Sequence, residues 1–243
     1  HTRLVSDWSS DVCSSDRLLL CKGFTYIAAF KPSGQSYSRI EFTIRLKAVL
    51  MIETSVAVIG GGASGLSAAL YLAKAGIESL TFDHDKSVLH KAYIKNYPGK
   101  VEPLAGIALR DETRSLCEQY NAKILSEPVE QLTLNSDKFL IITSEESYLA
   151  DYTILATGQA PLKFLDLSVK QVDGAQPFVK TNLPVSANGE TSIPNLFAAG
   201  VIAGHPSQAI VAAGDGARVA VHIISRIKGE YWVDHDVLPK ATE

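Results

Sequence analysis

The chain has 243 residues, a net charge of −3 and 46% hydrophobic content, an ordinary globular composition with enough length for one sizeable core or two small ones. There is no basic excess, so nucleic acid is not a default partner, and no apolar run approaches the roughly 18 residues that a membrane span needs. Cys13, Cys21 and Cys117 are far apart and include no C-x-x-C. That argues against a disulfide framework, a zinc site and a dithiol redox centre, and makes a reducing cytoplasm the natural setting.

Residues 1–50 do not read like the rest. Residues 7–16, DWSSDVCSSD, resemble a widely used DNA-sequencing adapter translated in one frame, and such a tract is set aside before fold reasoning. A natural Ser-rich tail is the competing reading. Met51 is the single methionine and lies just before the first strong strand pattern, so the natural start is expected there. Residues 1–50 would then be a leader outside the fold, although 24–30 and 40–46 could pair as a hairpin by composition. Residues 51–243 are expected to form one domain.

Residues 54–75 read TSVAVIGGGASGLSAALYLAKA. The β-branched run 55–59 predicts a buried parallel strand, and Leu66, Ala69, Leu70 and Ala73 recur at helical spacing. Between them lies Gly60-x-Gly62-x-x-Gly65, and a strand before it with a helix after it makes this spacing a nucleotide-binding signal. Gly60 permits the tight turn, Gly62 lets a pyrophosphate approach the backbone, and Gly65 lets helix and strand pack closely. Free N–H groups at the helix start, around Ala63 and Ser64, would face the phosphates. A Gly-rich turn without a ligand is the alternative.

Gly76 is a plausible helix stop, and 79–82 predicts a second strand closing at Asp83. An acidic residue about 20 positions past the glycine loop is where a ribose hydroxyl would be held. Asp83 fits best, Asp85 is the reserve, and a solvated loop carboxylate is the alternative. A carboxylate there repels a 2′-phosphate, so the site is expected to prefer FAD or NAD to NADP. Asn96-Tyr97-Pro98-Gly99 is a turn, and 104–120 predicts an amphipathic helix in which Cys117 packs rather than reacts. Residues 122–125 predict a parallel strand, and 129–134, 139–143 and 147–151 an antiparallel meander. Residues 152–155 predict a further strand ending in Ala156-Thr157-Gly158, a small-residue turn that brings backbone close to a ligand. The stretch 166–190 is rich in turn formers and too short for a second nucleotide-binding domain. Residues 195–199 predict a strand into Gly200. Ser207 is expected to cap a long helix over 208–227, with Gly214 and Gly216 allowing close packing and its start offering partial positive charge to an anionic group.

The stretches VAVIGGGASGLSAALYLAKAG, KNYPG, TILATG, and TSIPNLFAAG followed by SQAIVAAGDGARVA together resemble the FAD-binding domain of the thioredoxin reductase-like flavoproteins, within the pyridine nucleotide-disulfide oxidoreductases. They occur in the family's order over nearly all of 51–228. The resemblance implies an α/β, Rossmann-like FAD/NAD(P)-binding fold: a parallel sheet with helices on one face and an antiparallel three-stranded meander. In the family the domain is discontinuous, here as 51–160 and 190–230. The resemblance also implies an extended FAD whose ADP half rests on Gly60, Gly62, Ala63, Ser64, Gly65 and Asp83. Asn96, Thr157, Gly158 and Gly200 would lie near the cofactor, with Gln208 and Ala209 at the flavin ring. A homodimer is implied on the same ground, and Tyr231 and Trp232 would either bury at its interface or pack on their own domain.

Two departures matter. The family inserts an NADPH-binding domain carrying C-x-x-C between the ATG and IPNLFAAG strands, whereas a short segment without cysteine joins them here. Thioredoxin reduction by the usual dithiol route is therefore excluded on residues alone. The family also places Asp, which contacts the ribityl chain, where this chain has Val201. His205 is the histidine nearest the flavin end and a candidate proton donor; an ordinary surface histidine is the alternative. Electrons would come from free NAD(P)H, a partner protein such as a reductase, or the substrate itself. Three readings stay open: a minimal FAD-dependent oxidoreductase, a non-catalytic FAD or adenine-nucleotide module paired with a partner, and a decayed or incomplete reductase.

Overall fold

Strand β1 (Met51–Ile59) enters the core over its last four residues, where Val56, Ala57 and Val58 are fully buried and Ile59 is 5% exposed. Burial on both faces is why this run is apolar without alternation. The computed structural model describes residues 51–234 and Asp236; the expected leader 1–50, with its adapter-like tract and its 24–30/40–46 hairpin, lies outside the described residues. From β1 the chain passes through the glycine turn into helix α1 (Ala63–Lys74) and returns as β2 (Ser79–Phe82), parallel to β1. A 3-10 turn (Val88–Lys91) and a ribbon of β3 (Tyr93–Ile94) with β4 (Leu104–Ala105) follow. Helix α2 (Gly106–Gln119) starts two residues later than its apolar spacing predicts, because the ribbon takes Leu104 and Ala105. Strand β5 (Lys123–Leu125) then lies parallel to β2.

Strands β6 (Val129–Asn135) and β7 (Lys138–Thr143) form an antiparallel pair. Next comes a departure from the sequence reading, since 147–151 and 152–155 are one strand, β8 (Ser147–Leu155). The joining segment carries a small pair, β9 (Val172–Asp173) with β10 (Thr181–Asn182), and leads to β11 (Leu196–Ala198). The first half of β8 pairs antiparallel with β7 as far as Ala150, and its second half pairs parallel with β11 from Thr153. The meander thus meets the parallel sheet through a change of partner along one strand. Asp151, which reads as a strand breaker, is tolerated at the change because Lys138 Nζ lies 3.3 Å from its carboxylate.

The sheet order is β5-β2-β1-β8-β7-β6, with β11 added on β8. Helices α1 and α3 (Ala209–Lys228) cover one face, packing Leu72, Val219 and Ile223 on Val56, Val58, Ile154 and Phe197. Helix α2 leans on α1 through Leu66, Ala69 and Cys117. The opposite face carries Ile59, Phe82 and Leu155 against the meander residues Leu132, Phe139 and Tyr148 and against Val169 and Leu183 of the joining segment. That segment is core, not a loose linker: Leu183 is fully buried, and the Leu132 N–H donates to Phe164 O at 2.7 Å while the Asp166 N–H donates back to Leu132 O at 2.9 Å. Among the described residues no helix is long and apolar enough to cross a membrane.

Two expectations at α3 are corrected. Ser207 does not cap it; the N-cap is Gln208, no side chain caps it, and the Ser207 N–H donates instead to Gln176 Oε1 at 3.0 Å. Of the two helix glycines only Gly216 is a close approach, where a Cβ would stand 2.0 Å from Ser64 O; a Cβ at Gly214 would meet nothing within 4 Å. In the tail, Trp232 packs edge-on against Tyr71 with ring centroids 6.3 Å apart, and Tyr231 is exposed.

Candidate nucleotide-binding site

The glycine turn is held by contacts that leave no room for side chains. Gly60 has φ +119°, which L side chains rarely adopt, and a Cβ on it would lie 2.4 Å from Ala156 O. A Cβ on Gly65 would lie 1.7 Å from Gly60 O. The ends of β1 and β8 and the first turn of α1 therefore close on one another. Gly62 differs, because a Cβ there would meet only Ser87 Oγ at 3.4 Å. As the extended N-cap of α1 it offers no side chain to the helix end, and the first turn holds no acid. The first N–H groups of α1 are thus available to an anion.

This turn opens on a cleft of about 810 Å³, within the range of small-molecule sites. Its walls come from the glycine turn, Asp83, the 3-10 turn and ribbon, the segment after β8, Val201 and the start of α3. Ten of the expected cofactor residues line it: Gly60, Gly62, Ala63, Ser64, Asp83, Asn96, Thr157, Gly158, Gln208 and Ala209. Two lie behind the wall. Gly65 supports the turn from within α1, and Gly200 donates its N–H to Asp215 Oδ2 at 2.6 Å. Asn96 Nδ2 donates to Gln208 Oε1 at 2.9 Å, joining two walls across the space.

Two residues that line the cleft, Ser64 and Thr157, have hydroxyls that are buried and without a hydrogen-bond partner among the described residues. An orphaned buried hydroxyl costs free energy, and both residues border the cleft. His205 does not line the cleft. Its Nε2 lies 3.4 Å from Asp215 Oδ2, within ion-pair range but not aligned for a hydrogen bond, since that nitrogen is buried without a hydrogen-bond partner among the described residues. Val201 does line the cleft, and its carbonyl accepts from Asn182 Nδ2 at 2.7 Å.

Asp83 closes β2 as expected and is 2% exposed, yet its carboxylate is not free. Oδ2 pairs with the Arg110 guanidinium, Arg114 Nη1 stands 3.6 Å away, and Oδ1 accepts from the Asp85 N–H at 3.0 Å. This offsets the repulsion of a 2′-phosphate expected from Asp83 alone. Arg110 and Arg114 escaped the sequence reading, although the signal was there: with Ile107 and Cys117 they recur at the spacing of the buried stripe, where an unpaired charge is costly. Glu127 is another such residue, lining the cleft while accepting from Tyr148 Oη at 2.9 Å and Thr143 Oγ1 at 2.8 Å. Cys117 is a packing residue. It is fully buried, its thiol donates to Leu66 O at 3.3 Å, and burial pushes its pKa up to about 11.

The model of the pyridine nucleotide-disulphide oxidoreductase family matches residues 54–183. The thioredoxin reductase of Rickettsia bellii (strain RML369-C) is 31% identical over 126 residues, which is 50% of this chain and 40% of its own. NADPH-dependent thioredoxin reductase 3 of Arabidopsis thaliana is 27% identical over 158 residues, 57% of this chain and 30% of its own. The chain thus spans between 30% and 40% of the length of these relatives. Among solved structures, a thioredoxin reductase from Gloeobacter violaceus superposes with a TM-score of 0.65 at 17% identity, over 77% of this chain and 100% of that one. The atypical thioredoxin reductase TRi of Desulfovibrio vulgaris Hildenborough gives 0.61 at 21% identity, over 73% and 99%. These likenesses are of fold, and they agree with the mixed sheet and one-sided helices described above. By its glycine turn, its sheet and the match across more than half its length, the chain belongs to the pyridine nucleotide-disulphide oxidoreductase family.

Proposed function

We propose that the chain binds FAD and acts as a thioredoxin reductase-like flavoprotein oxidoreductase in a minimal form, without the NADPH-binding domain and its dithiol. The observation that carries the proposal is the open, uncapped start of α1 facing a cleft with two orphaned hydroxyls, Ser64 Oγ and Thr157 Oγ1. The donor set fits the cofactor. The N–H groups at Gly62, Ala63 and Ser64 would hold the pyrophosphate, and Asp83 would accept from the adenosine ribose. Gln208 and Ala209, at a helix start with partial positive charge, would face the pyrimidine end of the flavin. When bound, FAD supplies the redox chemistry, while the chain's residues bind and orient it.

Electrons would come from outside the domain. The joining segment between β8 and β11 is occupied with packing the core and holds neither a cysteine nor a second glycine fingerprint. Diffusible NAD(P)H and a partner protein are both consistent with the names of similar proteins, which include an NADPH-dependent reductase and a ferredoxin-flavin thioredoxin reductase from Clostridium acetobutylicum. A cytoplasmic homodimer belongs to the same proposal through the family likeness. Val201 favours a second reading, a non-catalytic FAD or adenine-nucleotide module, because an aliphatic side chain there gives no hydrogen bond to the ribityl chain. Titration of the full chain with FAD, followed by anaerobic NADPH or NADH, separates these readings. A bound flavin bleached by either donor supports the oxidoreductase, a bound flavin inert to both supports the module, and no uptake of FAD sinks the proposal.

A further inference from the structure

Arg110 is a charge at a core position. It is 5% exposed on α2, while its chain neighbours Asp111 and Glu112 are exposed. Its guanidinium reaches in several directions. Nη2 pairs with Asp83 Oδ2 and lies 2.9 Å from Asp85 Oδ1, Nη1 reaches Asp111 Oδ1 at 3.4 Å, and Nε donates to Gly61 O at 3.3 Å. One side chain therefore touches both halves of the adenosine end of the cleft, the carboxylate at the end of β2 and the carbonyl within the glycine turn. Arg110 does not itself line the cleft, so any effect it has on a ligand passes through these two groups. The planar guanidinium presents its donors in fixed, divergent directions and so reaches a carboxylate and a backbone carbonyl at once, whereas a lysine ammonium is a compact point charge.

The identity of residue 61 supports this arrangement independently. The glycine motif leaves that position unspecified, yet the chain carries glycine there. A Cβ on Gly61 would stand 2.1 Å from Asp83 Cγ and within 2.5 Å of both its carboxylate oxygens. Carboxylate and turn are in direct contact, and the guanidinium bridges them from behind. A buried ion pair is a weak source of stability, because desolvation offsets its attraction, so this network calls for another reason to exist.

We infer that Arg110 is a positioning residue for the adenosine end of the bound dinucleotide. It fixes the Asp83 carboxylate against the Gly61 carbonyl, so that the ribose acceptor and the phosphate-binding turn are formed together before the ligand arrives. The inference rests on the FAD-binding reading above. The test is a double-mutant cycle on the full chain, with ADP and FAD binding measured by titration calorimetry for wild type, Arg110→Gln, Asp83→Asn and the double variant. Each single substitution is expected to raise the Kd for ADP about tenfold. The Kd for FAD should rise by the same factor, and the double variant should be no weaker than the weaker single one. If Arg110 only supported the fold, Arg110→Gln would lower Tm while leaving the ADP Kd of the folded protein unchanged, since two groups in contact couple in stability whatever their role. An ADP Kd within about twofold of wild type in folded Arg110→Gln, or multiplying losses, overturns the inference. Should Arg110→Gln fail to fold, Arg110→Lys takes its place in the same cycle, since it keeps the charge and loses the bridge. Wild-type protein that takes up neither ADP nor FAD sinks the FAD reading and this inference together, whereas uptake of both with unaltered variants overturns only the role of Arg110.

Discussion

Replacing Gly65 by alanine puts the closest approach in the site to the test. A Cβ there would stand 1.7 Å from Gly60 O and 3.3 Å from Ala156 Cβ. Ordinary carbon–oxygen contacts begin at about 3.3 Å, so relief requires α1 to retreat from the end of β1 by about 1.6 Å. The helix has no slack for that, because Leu66, Ala68, Ala69 and Leu72 are fully buried. Overpacking of this kind costs about 1–3 kcal/mol, and here backbone is struck, which cannot rotate away. Exchange of Gly for Ala inside a helix recovers about 1 kcal/mol, so a raw penalty at the top of the range leaves a net loss of about 2 kcal/mol. In a domain of this size that lowers Tm by about 4–8 °C. Gly214→Ala is the control, since it makes the same exchange where a Cβ meets nothing within 4 Å, and it should raise Tm. Thermal melts followed by circular dichroism read both variants. A Gly65→Ala protein that melts with wild type or above it refutes the tight closure of the turn.

Other outcomes follow from the same contacts. Ser64→Ala removes a buried hydroxyl that has no partner among the described residues; it should leave Tm unchanged or raised while weakening FAD binding, and a stability loss with unchanged FAD affinity would contradict this reading. Leu183→Ala, at a fully buried position of the joining segment, should cost about 2–5 kcal/mol in urea unfolding as a core truncation does, whereas a loose linker would show almost nothing. The Cys117 thiol is raised from 9.0 to about 11 by burial. The stability it contributes is therefore complete below pH 9 and is lost as pH rises through about 11. Iodoacetamide at pH 8 should leave Cys117 unlabelled in the native protein and label it in urea, as read by peptide mass; native labelling would show the site to be open.

What the sequence made legible was local. The run from Thr54 to Ala75 states its strand, turn and helix because apolar period, glycine spacing and helix propensity agree there, and Asp83 follows from its distance to that turn. The part that stayed hidden was set by partners distant in sequence. Nothing between Ala150 and Thr153 announces that β8 changes partner from β7 to β11, because the change is made by the neighbours and not by a turn residue. Ser207 looks like a cap, but Gln176, 31 residues earlier, takes its N–H. Likewise the Arg110 network joins positions 61, 83 and 110, and only the fold brings these together. Gly65 closes the glycine motif and Gly200 ends the stretch TSIPNLFAAG, yet both lie behind the cleft wall, as supports of the turn and of Asp215 rather than as its lining.

The most direct measurement is the visible absorption spectrum of the purified full chain, before and after incubation with excess FAD and gel filtration. The protein is expected to emerge yellow, with flavin co-eluting near one per chain, and a Ser64→Ala/Thr157→Val variant to stay folded but retain less. Colourless protein that releases all added FAD on the column would contradict the FAD-binding proposal.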